Sequence, residues 1–150
     1  MAAANLGELP GWASDLLERS PVGHLSYVDG QDRPRVLPVT FAVADGMLWT
    51  AIDQKPKSGA GEVARVRYLR RRPHAALCVD HYEDDWSRLA WVQVVAAVEL
   101  VESDADHAGA KGGLERLREK YHHYRNDPPQ GPFIGLRPHR VLCWRAAEDS

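Results

Sequence analysis

Apolar and polar positions along the chain mostly alternate with the two-residue period of strands, interrupted by three stretches of helical period. Residues 22–28, Val22-Gly-His-Leu-Ser-Tyr-Val28, predict a strand that ends in the polar turn opened by Asp29-Gly30. A second strand is predicted over 35–43, with Pro38 marking an edge or a bulge. Asp45-Gly46 is a two-residue hairpin signal, and Leu48, Trp49, Thr50 and Ile52 after it predict a third strand paired with the second. Further strands are predicted over 75–82, 89–101 and 140–145. On the longest, Ala90, Val92, Val94, Ala96 and Val98 share one face, and Trp91, Gln93, Val95, Ala97 and Glu99 the other. Both faces are largely apolar, which predicts burial by the barrel interior on one side and by another layer or subunit on the other.

Helical period appears first near the N-terminus, where Trp12, Leu16 and Leu17 oppose Asp15, Glu18 and Arg19 until Ser20-Pro21 stops the run. It returns over 61–71, a basic segment closed by Arg72-Pro73. The third helix carries Leu114, Leu117, Tyr121 and Tyr124 on one stripe. Ser103 and Asp106 resemble a capping box before it, and Gly109, Gly112 and Gly113 predict a late start or a kink. Asn126-Asp-Pro-Pro129 ends it, and the pattern from there to residue 140 predicts a proline-punctuated loop. Six strands, tight turns and helices at two crossovers predict a mainly β fold with peripheral helices. The expected architecture is a small, nearly closed antiparallel barrel forming a single domain over 1–150.

Composition adds exclusions. An apolar share of 44% and a charged share of 27% are ordinary for a globular protein, and a net charge of −2 argues against a general nucleic-acid binder. No apolar run approaches the ~20 residues that span a bilayer, so no membrane partner and a cytoplasmic location are expected. Cys78 and Cys143 each sit inside an apolar strand-like run and are expected to be reduced, buried thiols.

The chemistry concentrates at 47–57. A strand there delivers the Thr50 hydroxyl to a turn where Pro56 separates Lys55 from Lys57, and a helix follows. Unpaired N–H groups and the positive pole of a helix, together with two mobile ammonium groups, suit a phosphate. A charged turn before a solvated helix is the plainer account of the same residues, because loop lysines are common. Arg65, Arg67, Arg70, Arg71 and Arg72 fall within eight positions, and the last three suit the negative pole of the helix. Residues 80–85 hold carboxylates and an imidazole, but neighbours on a strand face opposite ways, so a solvated turn or subunit contact is expected there and no metal. His122 and His123 likewise face different directions. Trp86, Trp91 and Trp144 are expected to anchor packing or an interface. No Ser-His-Asp or Cys-His arrangement stands out. His24, His81 and Tyr82 are proton donors by residue type only, and the catalytic residues stay open.

Val22 to Val28, Pro38-Val-Thr-Phe41, Leu48 to Lys57, the arginine-rich helix with Pro73, and Val79-Asp-His-Tyr82 together resemble the pyridoxamine-phosphate-oxidase-like split β-barrel superfamily. Asp84-Asp-Trp86, Trp91-Val92 and Lys120-Tyr-His-His-Tyr-Arg125 resemble its small single-domain subgroup of deazaflavin-dependent oxidoreductases. The resemblance runs over about residues 10 to 145 and implies a six-stranded antiparallel split barrel. It implies a cofactor, 8-hydroxy-5-deazaflavin (coenzyme F-420) or FMN, in a groove between the subunits of a homodimer. The phosphate then falls to Thr50, Ala51, Lys55 and Lys57, and the ring system to the strand from Arg35 to Thr40, with Val39 and Thr40 closest. Gln93 matches a flavin-contacting glutamine of oxidase members. The subgroup often has asparagine where Tyr68 stands. The resemblance tips Lys55 and Lys57 toward phosphate ligands and implies hydride transfer to a small conjugated substrate. A non-catalytic flavin, deazaflavin or haem binding, storage or sensing protein is the alternative.

Overall fold

In the computed structural model, residues 1–52 and 63–146 are described. The β-rich pattern becomes one antiparallel sheet. Its strands are β1 (Ala2–Ala3), β2 (Gly23–Val28), β3 (Pro34–Val39), β4 (Ala42–Ala44), β5 (Met47–Ala51), β6 (His74–His81), β7 (Ala90–Val101) and β8 (Phe133–Arg145). The hydrogen-bonded order is β3-β2-β6-β7-β8-β5-β4, and β1 pairs with β8. The two edge strands, β3 and β4, are separated in sequence only by Thr40 and Phe41. Three peptide steps reach about 11 Å at most, so the sheet must curl until its edges nearly meet, as in a split barrel.

Helix α1 (Gly11–Arg19) buries Ala13, Leu16 and Leu17, and α2 (Ala64–Arg71) buries Val66 and Leu69. All five join the interior cluster with Leu25, Leu77, Val92, Val94 and Leu136. Helices α3 (Ala108–Lys120) and α4 (His123–Asn126) cover a second cluster around Trp49, Leu117, Tyr124 and Phe133. No helix among the described residues is long and apolar enough to cross a membrane.

The strand predicted over 35–43 is two strands. Its first part pairs with β2, and its second makes the Asp45-Gly46 hairpin with β5, both turn residues having positive φ (50° and 76°). The break falls where the Tyr121 hydroxyl oxygen accepts the Phe41 N–H at 3.1 Å and lies 3.1 Å from the Phe41 carbonyl. The Phe41 N–H is thereby satisfied outside any ladder. The loop predicted before residue 140 is instead the first half of β8. Ala96 pairs with Pro138 and Val95 with Arg140, so a bulge absorbs the proline that suggested a loop. The predicted basic helix begins, among the described residues, at Ala64. Cys143 is buried and Cys78 half-buried.

Helix α3 corrects the expectation drawn from its glycines. It starts at Ala108 and contains Gly109, Gly112 and Gly113, with the His107 side chain as N-cap, accepting the Ala110 N–H at 3.0 Å. Ser103 only accepts from Ala105 N–H in the preceding turn. The reason is Trp49, which is 1% exposed. A Cβ on Gly113 would lie 2.4 Å from the indole Cγ, and one on Gly135 of β8 would lie 2.8 Å from its far edge. The glycines make a flat bed for the ring, and burying an indole contributes on the order of 5 kcal/mol, more than the ~1 kcal/mol each helical glycine costs. Gly112 faces away, its nearest neighbour across the space being Asp45 Oδ2 at 3.7 Å. Gly112→Ala should therefore stabilise the protein by about 0.5–1 kcal/mol, and Gly113→Ala should destabilise it by about 1–3 kcal/mol. Urea melts of the two variants check this pair of opposite signs.

Candidate cofactor site

Strand β5 is the axis of the site. Leu48 and Ile52 join the interior cluster while Trp49 and Ala51 join the cluster under α3, so alternation puts Thr50 on the interior side, where it is 2% exposed. Thr50 and Ala51 pair with Ile134 and Phe133, and the Ile52 N–H continues the ladder to the Pro132 carbonyl at 3.0 Å. The β4–β5 register, Ala42 opposite Trp49, sets Phe41 and Thr40 in line with Thr50 and Ala51 when continued by two residues. Val39, Thr40, Thr50 and Ala51 thus gather at the corner where the edges of the sheet approach. Lys55 and Lys57 lie outside the described residues.

Two tyrosines and a lysine fix that corner. Thr40 Oγ1 lies 2.8 Å from the Tyr124 hydroxyl, and Tyr121 Oη lies 2.8 Å from the Pro21 carbonyl, joining the end of α3 to both β2 and β4. Burial raises the Tyr121 phenol above its ordinary range against the opposing Phe41 hydrogen bond. Lys120 Nζ sits 3.8 Å from the centre of the Phe41 ring and has no hydrogen-bond partner among the described residues. Loss of hydration outweighs the pull of Glu18 and lowers the ammonium to about 8.

Arg35 lies on β3 opposite Tyr27, with its guanidinium 3.7 Å from the Asp29 carboxylate. Asp29 is held below the usual carboxylate range chiefly by the N–H groups of Arg33 and Gln31, at 3.0 and 2.9 Å. Tyr68 of α2 stacks on Tyr27 at 6.3 Å, so the polar contact an asparagine would make there is replaced by an aromatic one. Arg65, one turn earlier on the same helix, shares that side. Its Nε is buried without a hydrogen-bond partner among the described residues, and such a guanidinium nitrogen in the first turn of a helix fits an anionic group. In sequence Arg65 does not stand out, because the five arginines of this segment look alike. The others differ in place: Arg70 pairs with Glu102 at 2.8 Å, Arg72 pairs with Asp32 at 2.9 Å, and Arg67 leans over Tyr68.

Gln93 stands apart. A row runs Pro38, His24, Cys78, Gln93 across β3, β2, β6 and β7, so Gln93 is three strands, roughly 14 Å, from β3. It faces outward and lines a shallow groove of about 330 Å³ with Cys78, Asp80, Tyr82 and Trp91. His81 hydrogen-bonds Glu83, and Asp85 accepts from the N–H and Oγ–H of Ser87. Among the described residues no three His, Cys, Asp or Glu side chains gather as a metal site.

The profile of the pyridoxamine 5'-phosphate oxidase family matches residues 11–145. The chain belongs to this family. Solved structures agree on the fold. A conserved hypothetical protein of Mycobacterium tuberculosis, Rv2991, superposes with TM-score 0.70 at 17% identity over 96% of this chain and 88% of its own. A FAD-binding protein of Mesorhizobium loti gives 0.62 at 18% over 95% and 96%. An F420 reductase gives 0.60 at 22% over 89% and 98%. Comparison with curated protein sequences gives no match.

The Lys120 ammonium gives that corner a pH signature. Below about 8 folded and unfolded chains both hold the proton; between about 8 and 10.5 only the unfolded chain does, so this group's contribution to stability rises with pH across that window. The stability of the protein relative to Lys120→Met should accordingly increase from pH 8 to pH 10, measured by urea unfolding at each pH.

Proposed function

We propose that the protein is an oxidoreductase that binds a deazaflavin, coenzyme F-420, or FMN, and reduces a small conjugated acceptor. The observation that carries this is the Arg65 Nε, buried without a hydrogen-bond partner among the described residues, in the first turn of α2, the helix that follows β5 in the chain. Lys55, Lys57 and the Thr50 hydroxyl complete the anion site with Ala51, and Arg35, Val39 and Thr40 line the ring system. When bound, such a coenzyme supplies hydride chemistry that no side chain has. The chain's own contribution is to grip the phosphate, fix the ring's position and exclude water, so that loss of tail contacts lowers turnover as well as affinity.

The groove is completed by a second copy. The outer face of β3, β6, β7 and β8 carries Val36, 67% exposed, Trp144, 40% exposed, and half-buried Trp91, with no helix over them. Exposed apolar surface of this kind marks an interface, and pairing two such faces brings the partner's Gln93 toward the cofactor groove.

Fluorescence titration with FMN and with deazaflavin tests the reading. Lys55→Ala combined with Lys57→Ala should weaken binding at least tenfold, since charge-assisted hydrogen bonds contribute about 1.5–3 kcal/mol each, with the unfolding midpoint unchanged. Equal affinity of wild type and double variant for both cofactors would reject the anion site. Oxidation of the reduced coenzyme by enones, quinones or biliverdin then separates an enzyme from a storage or sensing protein, which would bind without turnover.

A further inference from the structure

The far end of the barrel carries a second cleft that the cofactor reading leaves unused. Ala51 pairs with Phe133, and Phe133 pairs with Val101 at the end of β7; the cleft lies at the start of β7, beside Ala90 and its partner Arg145. The twelve residues of β7 put roughly 36 Å of strand between the two. Ala90 also packs against the interior cluster, whereas Gln93 faces outward, so the sheet separates this cleft from that groove.

The cleft encloses about 330 Å³ between α1 and the β6–β7 connection. Its floor is apolar: Leu16 and Leu89 are 5% and 7% exposed, and the half-buried Trp12 indole forms a wall. Its rim is cationic, with Arg19, Arg88 and Arg145 all lining the opening. The Arg145 guanidinium lies 5.2 Å from the centre of the Trp12 ring, which fixes a planar cation beside a flat apolar surface. Nearby carboxylates are largely engaged. Glu83 takes His81 and sits 3.6 Å from Arg88, while Asp85 caps the short turn at Ser87. Arg19 makes no ion pair among the described residues. Asp15 and Glu18 border a neighbouring hollow that shares Trp12 and Arg19 with the cleft.

An apolar floor under a ring of guanidinium groups selects for a molecule with both parts. A bare anion would leave the floor wet, and a neutral ring would leave the Arg19 guanidinium without a counter-charge. We propose that this cleft is a ligand site for a small organic anion with a carboxylate at one end and a flat, apolar ring or conjugated chain as its body. The volume stands at the lower end of small-molecule sites, which limits the ligand to one ring or a short chain. The site is independent of the coenzyme and would stand if the coenzyme proposal failed.

Calorimetric titration of the full chain with benzoate, benzamide and inorganic phosphate tests it, with the Trp12 indole N–H followed by NMR. The expected result is saturable one-to-one binding of benzoate with a shift of the Trp12 signal, and binding of benzamide and phosphate at least tenfold weaker. Arg19→Gln, on an exposed face, should weaken benzoate about tenfold while the unfolding midpoint and FMN affinity stay unchanged. The proposal is overturned if benzoate gives no saturable heat, if phosphate binds as tightly as benzoate, or if Arg19→Gln binds benzoate like wild type.

Discussion

The packing of Trp49 against glycine governs the rest of the structure. β5 must lie between β4 and β8, present Leu48 and Ile52 to the interior, and still turn a large indole toward α3. Only a helix face without side chains lets α3 come that close, and only a strand position without one admits the ring edge at Gly135. Because interiors are close-packed and yield little, this contact sets the depth and tilt of α3. From there Tyr121 and Lys120 at its end reach Phe41, and Tyr124 just beyond reaches Thr40. The corner at which the two edges of the sheet meet is thus held by residues eighty positions away in the chain.

That arrangement explains which parts of the sequence spoke clearly. Strand alternation exposed β2, β5, β6 and β7 because one face of each is buried and the period of two survives. It missed the break at Thr40–Phe41, since nothing local tells that a distant tyrosine will take the Phe41 N–H. It misjudged 133–139 because a proline in a strand reads as a loop unless the strand itself bulges, and β8 does so at His139, between the residues facing Val95 and Ala96. The glycines of α3 looked like weakness because intrinsic helix propensity is a local quantity, while the indole they accommodate comes from 60 positions earlier. Capping went to His107 rather than Ser103 for a related reason. Its imidazole accepts the Ala110 N–H through Nδ1, so Nε2 carries the proton toward Glu99 at 2.8 Å, an arrangement set by β7.

The candidate site divides along the same line. Val39 ends β3, and Thr50 and Ala51 end β5, whose pairing with β4 the hairpin signal at Asp45-Gly46 already implied. The distinction among five neighbouring arginines was invisible in one dimension. Arg70 and Arg72 find carboxylates, whereas the Nε of Arg65 is buried without an acceptor among the described residues. A buried donor left unsatisfied costs about 1–3 kcal/mol, and an anion arriving at that point would recover it. The cationic rim at the start of β7 was equally hidden, because Arg19, Arg88 and Arg145 lie on three separated stretches of sequence.

The central claim is that an anionic cofactor docks where β5 gives way to α2. Amide hydrogen exchange with and without FMN tests it most directly. The account predicts added protection concentrated over residues 50–67, with the β6–β7 connection unaffected. Protection confined to the β6–β7 connection, or no change anywhere at saturating FMN and deazaflavin, would contradict it.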